Sequence, residues 1–313
     1  MYGPTSGRSV KTPGSLDPGA KHLLGRLAMV LGFALLLFTA FIFLAPTILT
    51  VSSSFFTQSE LSSNYGMIFD GAGSGGSYIA EKTALKFIPE KVSFKQFATV
   101  LFLSPEYLLK FWNSVMYTLP IMIFQTVVAC LAAYGFARFQ SKIRSVILFL
   151  YIIIMLMPYQ VTLVPNFLIA EALGTINTVW AIILPGIFSP FAVFLLTKSM
   201  KRIPSAVVEA ARLDGCNELQ IFTKIYLPLC KNIIYSVMIL VFIDYWNMVE
   251  QPLVLLKDEE MYPLSVFLSR INTAEVGIAF AVAVIYMVPT LLIFLYGEQY
   301  LVEGIANSGS VKG

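Results

Sequence analysis

Three polar side chains recur at helical spacing inside a strongly apolar stretch of the sequence. Asp244, Asn247 and Gln251 are separated by three and four residues, so a continuous helix would present them on one face. Tyr245 and Trp246 lie beside them. Hydrogen-bonding groups next to aromatic rings suit a polyhydroxylated ligand such as a sugar, whose hydroxyls need partners and whose C–H patches pack on rings. We interpret these residues as the lining of a ligand path.

This interpretation has an alternative, and it extends to a second set of residues. The alternative is that Glu250 and Gln251 lie at the outer interface of a membrane and that Trp246 belongs to an aromatic belt, and it applies most to Glu250. A second, weaker polar set, Tyr159 and Gln160, follows a proline in another apolar stretch, and we add it to the path. Hydrogen bonding between helices explains that second set equally well.

Catalytic and metal-binding chemistry find little support in the composition. The chain has one histidine, His22, and three scattered cysteines, Cys130, Cys216 and Cys230. This excludes histidine-based metal sites and Ser-His-Asp catalysis, and it provides neither a disulfide framework nor a thiolate metal site. We therefore expect no catalytic residues and no metal in this chain.

The overall composition indicates that lipid is the main solvent of the chain. Of 313 residues, 57% are hydrophobic and 12% are charged, and the mean hydropathy is +0.77. Soluble domains carry about 25% charged residues, so an ordinary soluble enzyme and a disordered protein are both excluded. The net charge of +3 gives no reason to expect nucleic-acid binding.

Six apolar stretches are long enough to cross a bilayer as helices, which predicts an all-α membrane protein with six transmembrane helices. They cover roughly 27–51, 114–137, 145–169, 178–197, 232–256 and 276–297. With this arrangement, 14 of the 21 Lys and Arg residues lie on the side of the two termini and seven on the other side. Because cytoplasmic loops are enriched in Lys and Arg, both termini are predicted to be cytoplasmic.

The spans divide the chain into five parts. We expect a cytoplasmic tail over 1–26, a first span over 27–51, an external loop over 52–112, a core of five spans over 113–303 and a cytoplasmic tail over 304–313. The external loop contains a Gly-rich run, 71–77, that lacks the Gly-Lys-Ser/Thr sequence of a phosphate-binding loop. We interpret this run as a solvated linker.

The cytoplasmic segment 203–228 carries the most specific pattern. It predicts two short helices: one capped by Ser205 with Glu209 near its first turn and ended by Gly215, and a second started by a capping box of Asn217 and Gln220. Small residues in the first helix would let another surface approach the backbone closely. The segment therefore suits the docking of a partner, whereas the alternative is a plain amphipathic connector between spans.

This segment resembles the EAA loop of the permease subunits of binding-protein-dependent ABC importers. The loop pattern is Glu-Ala-Ala, three residues, Gly, nine residues, Ile, one residue and Leu-Pro, and every spacing is intact here. The matching residues are Glu209, Ala210, Ala211, Gly215, Ile225, Leu227 and Pro228, with Asp214 fitting the carbohydrate-type version.

The resemblance to maltose-type carbohydrate permeases extends over roughly 23–313. It includes the run from Met157 to Thr162, the run Ile176-Asn177-Thr178, the run Tyr245-Trp246-Asn247 and the ending Val311-Lys312-Gly313. It implies the fold of a type I ABC importer permease with a cytoplasmic coupling helix, in a bacterial cytoplasmic membrane. It also implies a non-catalytic subunit that forms half of a path for a carbohydrate, and we favour an oligosaccharide.

The resemblance further implies the partners. These are a second, homologous permease subunit that is distinct in sequence, two ATPase subunits, an extracellular solute-binding protein and membrane lipids. ATP and Mg²⁺ would bind to the ATPase subunits, because this chain has no Gly-x-x-x-x-Gly-Lys-Ser/Thr sequence of its own.

Two other classes of protein fit the sequence less well. An ion-coupled secondary transporter would need buried ionisable residues and paired discontinuous spans in symmetric halves, but only Asp244 is a candidate. An integral membrane hydrolase would need motifs such as His-Glu-x-x-His or Gly-x-Ser-x-Gly, which the sequence lacks.

Overall fold

The computed structural model describes residues 18–61, 63, 86–139, 141–270 and 276–309, with side chains from residue 25 to residue 304. Within those ranges the regular structure is helical throughout, which confirms the all-α prediction. The Gly-rich run 71–77, the first seventeen residues and the ending Val311-Lys312-Gly313 lie outside the described residues.

Fourteen α-helices are described, joined by shorter helical turns. They are α1 Pro18–Ser53, α2 Lys95–Ala98, α3 Pro105–Arg138, α4 Lys142–Met155, α5 Tyr159–Ala172, α6 Val179–Gly186, α7 Pro190–Met200, α8 Ser205–Leu213, α9 Glu218–Ile221, α10 Leu227–Leu229, α11 Lys231–Trp246, α12 Glu250–Leu255, α13 Leu264–Ser269 and α14 Val276–Gly309. Two π-helical turns, Thr99–Leu103 and Phe222–Tyr226, and a 3-10 turn, Glu259–Met261, complete the set.

Four helical segments are long and apolar enough to cross a membrane: Gly25–Ser53, Pro105–Arg138, Val179–Met200 and Val276–Gly304. Two bent pairs bring the number to six if each pair is one span: Lys142–Met155 with Tyr159–Ala172, and Glu218–Leu229 with Lys231–Trp246. Each of the six predicted stretches overlaps one of these units, but the second bent pair includes Glu218–Leu229, which the prediction assigned to the cytoplasmic segment 203–228.

The predicted third and fifth spans are not continuous helices. The third bends by 106° between Met155 and Tyr159, where Pro158 lacks the N–H that would continue the ladder. The fifth helix ends at Trp246 instead of running to 256, and a new helix starts at Glu250. A helical face that includes Asp244, Asn247 and Gln251 does not form, and this correction affects the site below.

The main apolar cluster lies where α3, α7 and α11 pack together, and α14 packs on α11. Tyr117, Ile121, Leu196, Val193 and Val237 are essentially inaccessible to solvent in the main apolar cluster. Helix α1 lies outside this core: its membrane-crossing part is uncovered, and its contacts are with α14. The segment that follows α1 also packs on α14, through Phe56 and Leu61 against Phe280. Helix α1 therefore offers nearly all of its apolar surface to lipid or to another subunit.

Hydrogen bonds of Asn177 stabilise the end of the core opposite to α8. Asn177, at φ +61°, accepts hydrogen bonds through Oδ1 from the N–H groups of Lys257 and Asp258, at 2.8 and 3.0 Å. Its Nδ2 donates to Asp258 Oδ2 at 2.7 Å, and its own N–H donates to the Leu255 carbonyl. Asparagine tolerates a positive φ, so this residue type suits the turn. These hydrogen bonds hold the end of α12 against the turn that precedes α6.

Candidate functional site

Helix α8 presents most of its surface to solvent. Over Ser205–Leu213 only Val208 is buried, whereas Glu209 and Ala210 are exposed and the side chain of Leu213 is 90% exposed. An apolar side chain that projects so far from a capped helix fits a site covered by another protein. The exposed face of α8 thus has the properties of a docking surface.

The end of α8 is a Schellman motif built around Gly215. The Gly215 N–H donates to the Arg212 carbonyl and the Cys216 N–H donates to the Ala211 carbonyl, both at 3.0 Å. Gly215 has φ +83°, a conformation that L side chains rarely adopt. Ala211 and Cys216 both pack against the main apolar cluster. The motif therefore anchors the end of α8 to the core and leaves Asp214 and Gly215 exposed.

The start of α8 differs from the prediction. The residue that precedes the helix is Pro204, and Ser205 is the first helical residue and makes no side-chain cap. Glu209 consequently lies in the second turn and not in the first. The reason is that Pro204 itself adopts the extended conformation required before a helix, at φ −60° and ψ 138°.

The second half of the segment places its motif residues against the core. The capping box is present as predicted, with the Asn217 side chain accepting from the Gln220 N–H and the Gln220 side chain accepting from the Asn217 N–H. Ile225 and Leu227 pack on the main apolar cluster. Pro228 lies in the short helix before the 75° bend that leads into α11. These residues hold the segment in place, while α8 remains accessible.

A polar network around Glu218 joins this segment to α3. The Tyr134 hydroxyl donates to Glu218 Oε2 at 2.5 Å, and Arg138 Nε lies 3.6 Å from the same oxygen. Arg212, at the end of α8, forms an ion pair with Glu218 Oε1. Since Tyr134 and Arg138 belong to α3 and Arg212 to α8, a displacement of α8 would be transmitted to a membrane-crossing helix through Glu218. The sequence analysis missed this network, because Tyr134 is 84 residues away from Glu218 in the chain.

A second candidate site is a cavity of about 530 Å³ between α5, the end of α11 and the start of α12. Six of the seven residues predicted to line the path are on its walls. They are Tyr159, Gln160, Asp244, Tyr245, Asn247 and Gln251. These residues do not share one helical face as predicted, because the helix breaks after Trp246 and Gln251 reaches the cavity from α12. The Gln251 side chain also donates a hydrogen bond to the Ile182 carbonyl at 3.3 Å.

Trp246 does not face this cavity. Its side chain is 1% exposed and stacks between the rings of Phe242 and Tyr286, with centroid distances of 5.2 and 5.6 Å. Its Nε1–H donates to the Tyr286 carbonyl at 3.1 Å. Trp246 therefore belongs to the packing between α11 and α14, and neither the path nor the belt interpretation describes its position.

Two hydrogen-bond connections at this cavity were not foreseen. Glu250, on its wall, accepts hydrogen bonds from Gln160 Nε2 at 3.1 and 3.2 Å, which bridges α5 and α12. The other connection comes from Tyr286, which lies behind the lining residues. The Tyr286 hydroxyl lies 2.8 Å from Asn247 Oδ1 and from the Trp246 carbonyl and donates to one of them. The Asn247 amide also donates to the Ile243 carbonyl at 2.7 Å. The cavity is thus lined by carboxylates, amides and phenols, whose hydrogen-bonding groups suit a hydroxyl-rich ligand.

In the part of the chain that the structure describes, no group of three His, Cys, Asp or Glu side chains is close enough to hold a metal ion. Cys130 and Cys230 are buried free thiols and Cys216 is half-buried. Neither candidate site contains a nucleophile with an adjacent base. The geometry of these sites suits docking and ligand passage.

Known proteins resemble this chain over most of its length. It is 29% identical over 289 residues to the arabinooligosaccharides transport system permease protein AraQ of Halalkalibacterium halodurans, covering 91% of this chain and 96% of that protein. It is 32% identical to the lactose transport system permease protein LacG of Rhizobium radiobacter, over 65% of this chain and 75% of that protein. AraQ of Bacillus subtilis is 31% identical over 72% of this chain and 81% of its own length.

A solved structure has the same fold. It is described as the crystal structure of a bacterial ABC transporter involved in the import of the acidic polysaccharide alginate, and the match has a TM-score of 0.71 and 23% identity. It covers 88% of this chain and 96% of the matched chain. The predicted fold of an ABC importer permease is therefore confirmed.

Residues 125–300, more than half of the chain, match the family described as binding-protein-dependent transport system inner membrane component. This range includes the whole segment 203–228 and all the residues assigned to the path. The chain belongs to this family, whose members are the non-catalytic permease subunits of ABC importers.

Proposed function

We propose that this permease subunit takes part in the import of a carbohydrate, namely an oligosaccharide, and lines half of the path by which the sugar crosses the membrane. Two similar proteins are named for arabinooligosaccharides and one for lactose, which supports a sugar substrate. The cavity of about 530 Å³ supplies the required chemistry in Asp244, Asn247 and Gln160 beside the rings of Tyr159 and Tyr245.

The observation that carries the coupling role is the exposed face of α8. Glu209, Ala210, Asp214 and Gly215 carry the EAA pattern and lie at the surface, beside the fully projecting Leu213. In this proposal α8 docks on an ATPase subunit, and the Glu218 network transmits its displacement to α3. The segment is held in position on its core-facing side by the remaining motif residues, Ala211, Ile225, Leu227 and Pro228.

The proposed assembly contains two permease subunits, two ATPase subunits and an extracellular solute-binding protein. The second permease is a homologous, distinct chain, which makes the permease pair a heterodimer. ATP and Mg²⁺ bind to the ATPase subunits, whose closure moves the permeases between inward-facing and outward-facing states. The uncovered apolar surface of α1 leaves room for contact with the second permease.

We place both termini and α8 on the cytoplasmic side of a bacterial inner membrane. The loops 138–144 and 198–231, which contain nine of the 21 Lys and Arg residues, lie on one side of the fold, where Arg138 reaches Glu218. The turn around Asn177 meets Asp258 at the opposite end. This arrangement keeps the proposed division into a tail over 1–26, a span over 27–51, an external loop over 52–112, a core over 113–303 and a tail over 304–313.

The experiment that tests the function is transport by the purified assembly in proteoliposomes. The chain should copurify with a second permease and an ATPase, and the vesicles should accumulate a radiolabelled oligosaccharide only with ATP and the solute-binding protein present. Uptake driven by a sodium or proton gradient in the absence of ATPase would contradict the proposal and favour a secondary transporter.

A variant in α8 tests the coupling surface. Leu213→Glu places a charge on a side chain that makes little internal contact, so the fold should persist while docking is lost. We expect ATP hydrolysis that no longer responds to the loaded solute-binding protein. The matched control is Leu173→Glu at an exposed apolar position on the opposite side, which should keep coupled hydrolysis. Equal coupling in the two variants would exclude α8 as the docking surface.

A further inference from the structure

A basic cavity of about 600 Å³ lies at the base of α8 and is separate from the sugar path. Its walls are the end of α3, the start of α4, the end of α7 and the start of α8. Four basic residues line it: Arg138, Arg144, Lys201 and Arg202. None of its described lining residues is acidic, so the lining carries four positive charges, of which that of Arg138 is paired with Glu218.

The two arginines near the 139–141 turn are held by the same aromatic ring. The guanidinium carbons of Arg144 and Arg138 lie 5.0 and 5.9 Å from the centroid of Phe139. Arg138 Nε is buried and makes no hydrogen bond, although Glu218 lies 3.6 Å away outside the cavity lining. The Arg138 guanidinium is thus balanced in part by Glu218, whereas Arg144 has no ion pair among the described residues and is the better placed of the two to meet an anion in the cavity.

Two helix N-termini also contribute to the cavity. Helix α4, of 14 residues, begins there with Ser141 as its cap, and helix α8, of nine residues, begins there with Ser205. Helix N-termini present backbone N–H groups and a partial positive charge to an anion. Helix α8 has no side-chain cap that would occupy these groups. Side chains and backbone therefore favour the same kind of ligand.

The position of the cavity selects which anion can occupy it. Arg138 ends the membrane-crossing segment of α3, and Lys201 directly follows that of α7, so the cavity lies at the depth of lipid headgroups. Helix α4, one of its walls, has no buried residue, and its apolar side chains Ile143 and Phe149 are 73% and 60% exposed. If the anion in this cavity is the headgroup of a lipid, its acyl chains can lie along the exposed apolar side chains of α4.

We infer that this cavity binds the phosphate of an anionic phospholipid headgroup from the surrounding leaflet. The charged oxygens contact Arg144, Lys201 and the first turn of α8, and the acyl chains lie on the exposed face of α4. The bound lipid would then fix the base of α8 relative to α4 and α7. This last consequence rests on the proposed coupling role of α8, whereas the binding of the lipid does not.

Native mass spectrometry of the purified full-length chain, with its copurifying subunits, tests the site directly. The protein is equilibrated with equal amounts of phosphatidylglycerol and phosphatidylcholine, and the retained lipid is counted. We expect the wild type to prefer phosphatidylglycerol by about tenfold and the double variant Arg144→Gln, Lys201→Gln to lose that preference. The control Lys142→Gln, Lys198→Gln removes the same charge from exposed positions on the same two helices outside the cavity and should retain it.

The outcomes separate the possible occupants. Equal retention by the two double variants would overturn the inference, because generic surface charge would then explain binding. Displacement of phosphatidylglycerol by millimolar inorganic phosphate would overturn it in favour of a soluble anion. If Arg144→Gln, Lys201→Gln fails to fold, the single variant Arg144→Gln with Arg144→Lys as its rescue gives the same comparison. Loss of transport with normal lipid retention would contradict the proposed function and leave this site intact.

Discussion

At the scale of single residues, the conformation of Gly215 decides how α8 ends. An L side chain at φ +83° is strained, and no heavy atom lies within 4 Å of where a Cβ would stand, so the cost of a substitution is conformational. We predict that Gly215→Ala lowers the free energy of unfolding by about 1–2 kcal/mol. Gly215→Asn should cost clearly less, because Asn adopts a positive φ more readily. Equal thermal midpoints for the two purified variants would contradict this account.

Also at the residue scale, Asp244 and Asn247 should govern the passage of substrate. Each lines the cavity, and neither supports the apolar core, so removal of their polar groups should affect uptake more than assembly. We predict that Asp244→Asn and Asn247→Ala each reduce oligosaccharide uptake several-fold, since each lost hydrogen bond contributes about 1 kcal/mol. The measurement is initial uptake in proteoliposomes of equal subunit content.

The control for this prediction is Glu298→Gln. It removes the same charge as Asp244→Asn from an exposed position on α14 outside the cavity and should leave uptake unchanged. Normal uptake of every sugar that the solute-binding protein accepts, in both cavity variants, would remove these residues from the path.

At the scale of elements, the Glu218 network should hold α8 to α3. Tyr134→Phe removes one hydrogen bond and Glu218→Gln removes the ion pairs with Arg212 and Arg138. Each change should cost about 1 kcal/mol, the low value for Glu218 reflecting its partial exposure. We predict that either variant increases the rate of maleimide labelling at Cys216, which follows α8, while Cys130 and Cys230 stay buried and unreactive.

A double-mutant cycle makes this prediction stricter. If the two residues act through one contact, Tyr134→Phe combined with Glu218→Gln should label no faster than the faster single variant. Glu259→Gln, which breaks the Glu259–Arg270 ion pair at 3.7 Å on the other side of the fold, should leave the rate at its wild-type value. Independent, multiplicative effects of the two substitutions would contradict the network.

The elements also show what the sequence could predict. Apolar length located the four continuous spans and overlapped both bent pairs, and the spacing of Asn217 and Gln220 located a capping box, because both signals depend on residues close in the chain. The break after Trp246 was not predictable from hydropathy, since apolar residues continue on both sides of it. The role of Trp246 was missed for a similar reason: its partner Tyr286 is 40 residues away, on α14.

The candidate sites follow the same rule. The EAA pattern was recognised from its residue spacing. Which of its residues are exposed, such as Glu209, and which are packed, such as Ile225, depends on the core beneath α9 and α10, which the spacing does not reveal. The path residues Tyr159 and Asp244 share a cavity because Pro158 bends the third span and returns α5 toward α11. Tertiary contacts of this kind cannot be derived from local periodicity.

At the scale of the whole molecule, orientation links all of these proposals, because α8 can meet an ATPase only in the cytoplasm. We predict that a membrane-impermeant maleimide labels Cys216 in inside-out vesicles and leaves it unlabelled in intact cells. The reciprocal probe is Glu171→Cys in a Cys216→Ser background, placed at an exposed position at the end of α5. It should label in intact cells only. The excess of Lys and Arg near α8 supports this sidedness, since those residues resist translocation. Labelling of Cys216 from outside the cell would contradict the docking of α8, the Glu218 linkage and the placement of the lipid site in the inner leaflet together.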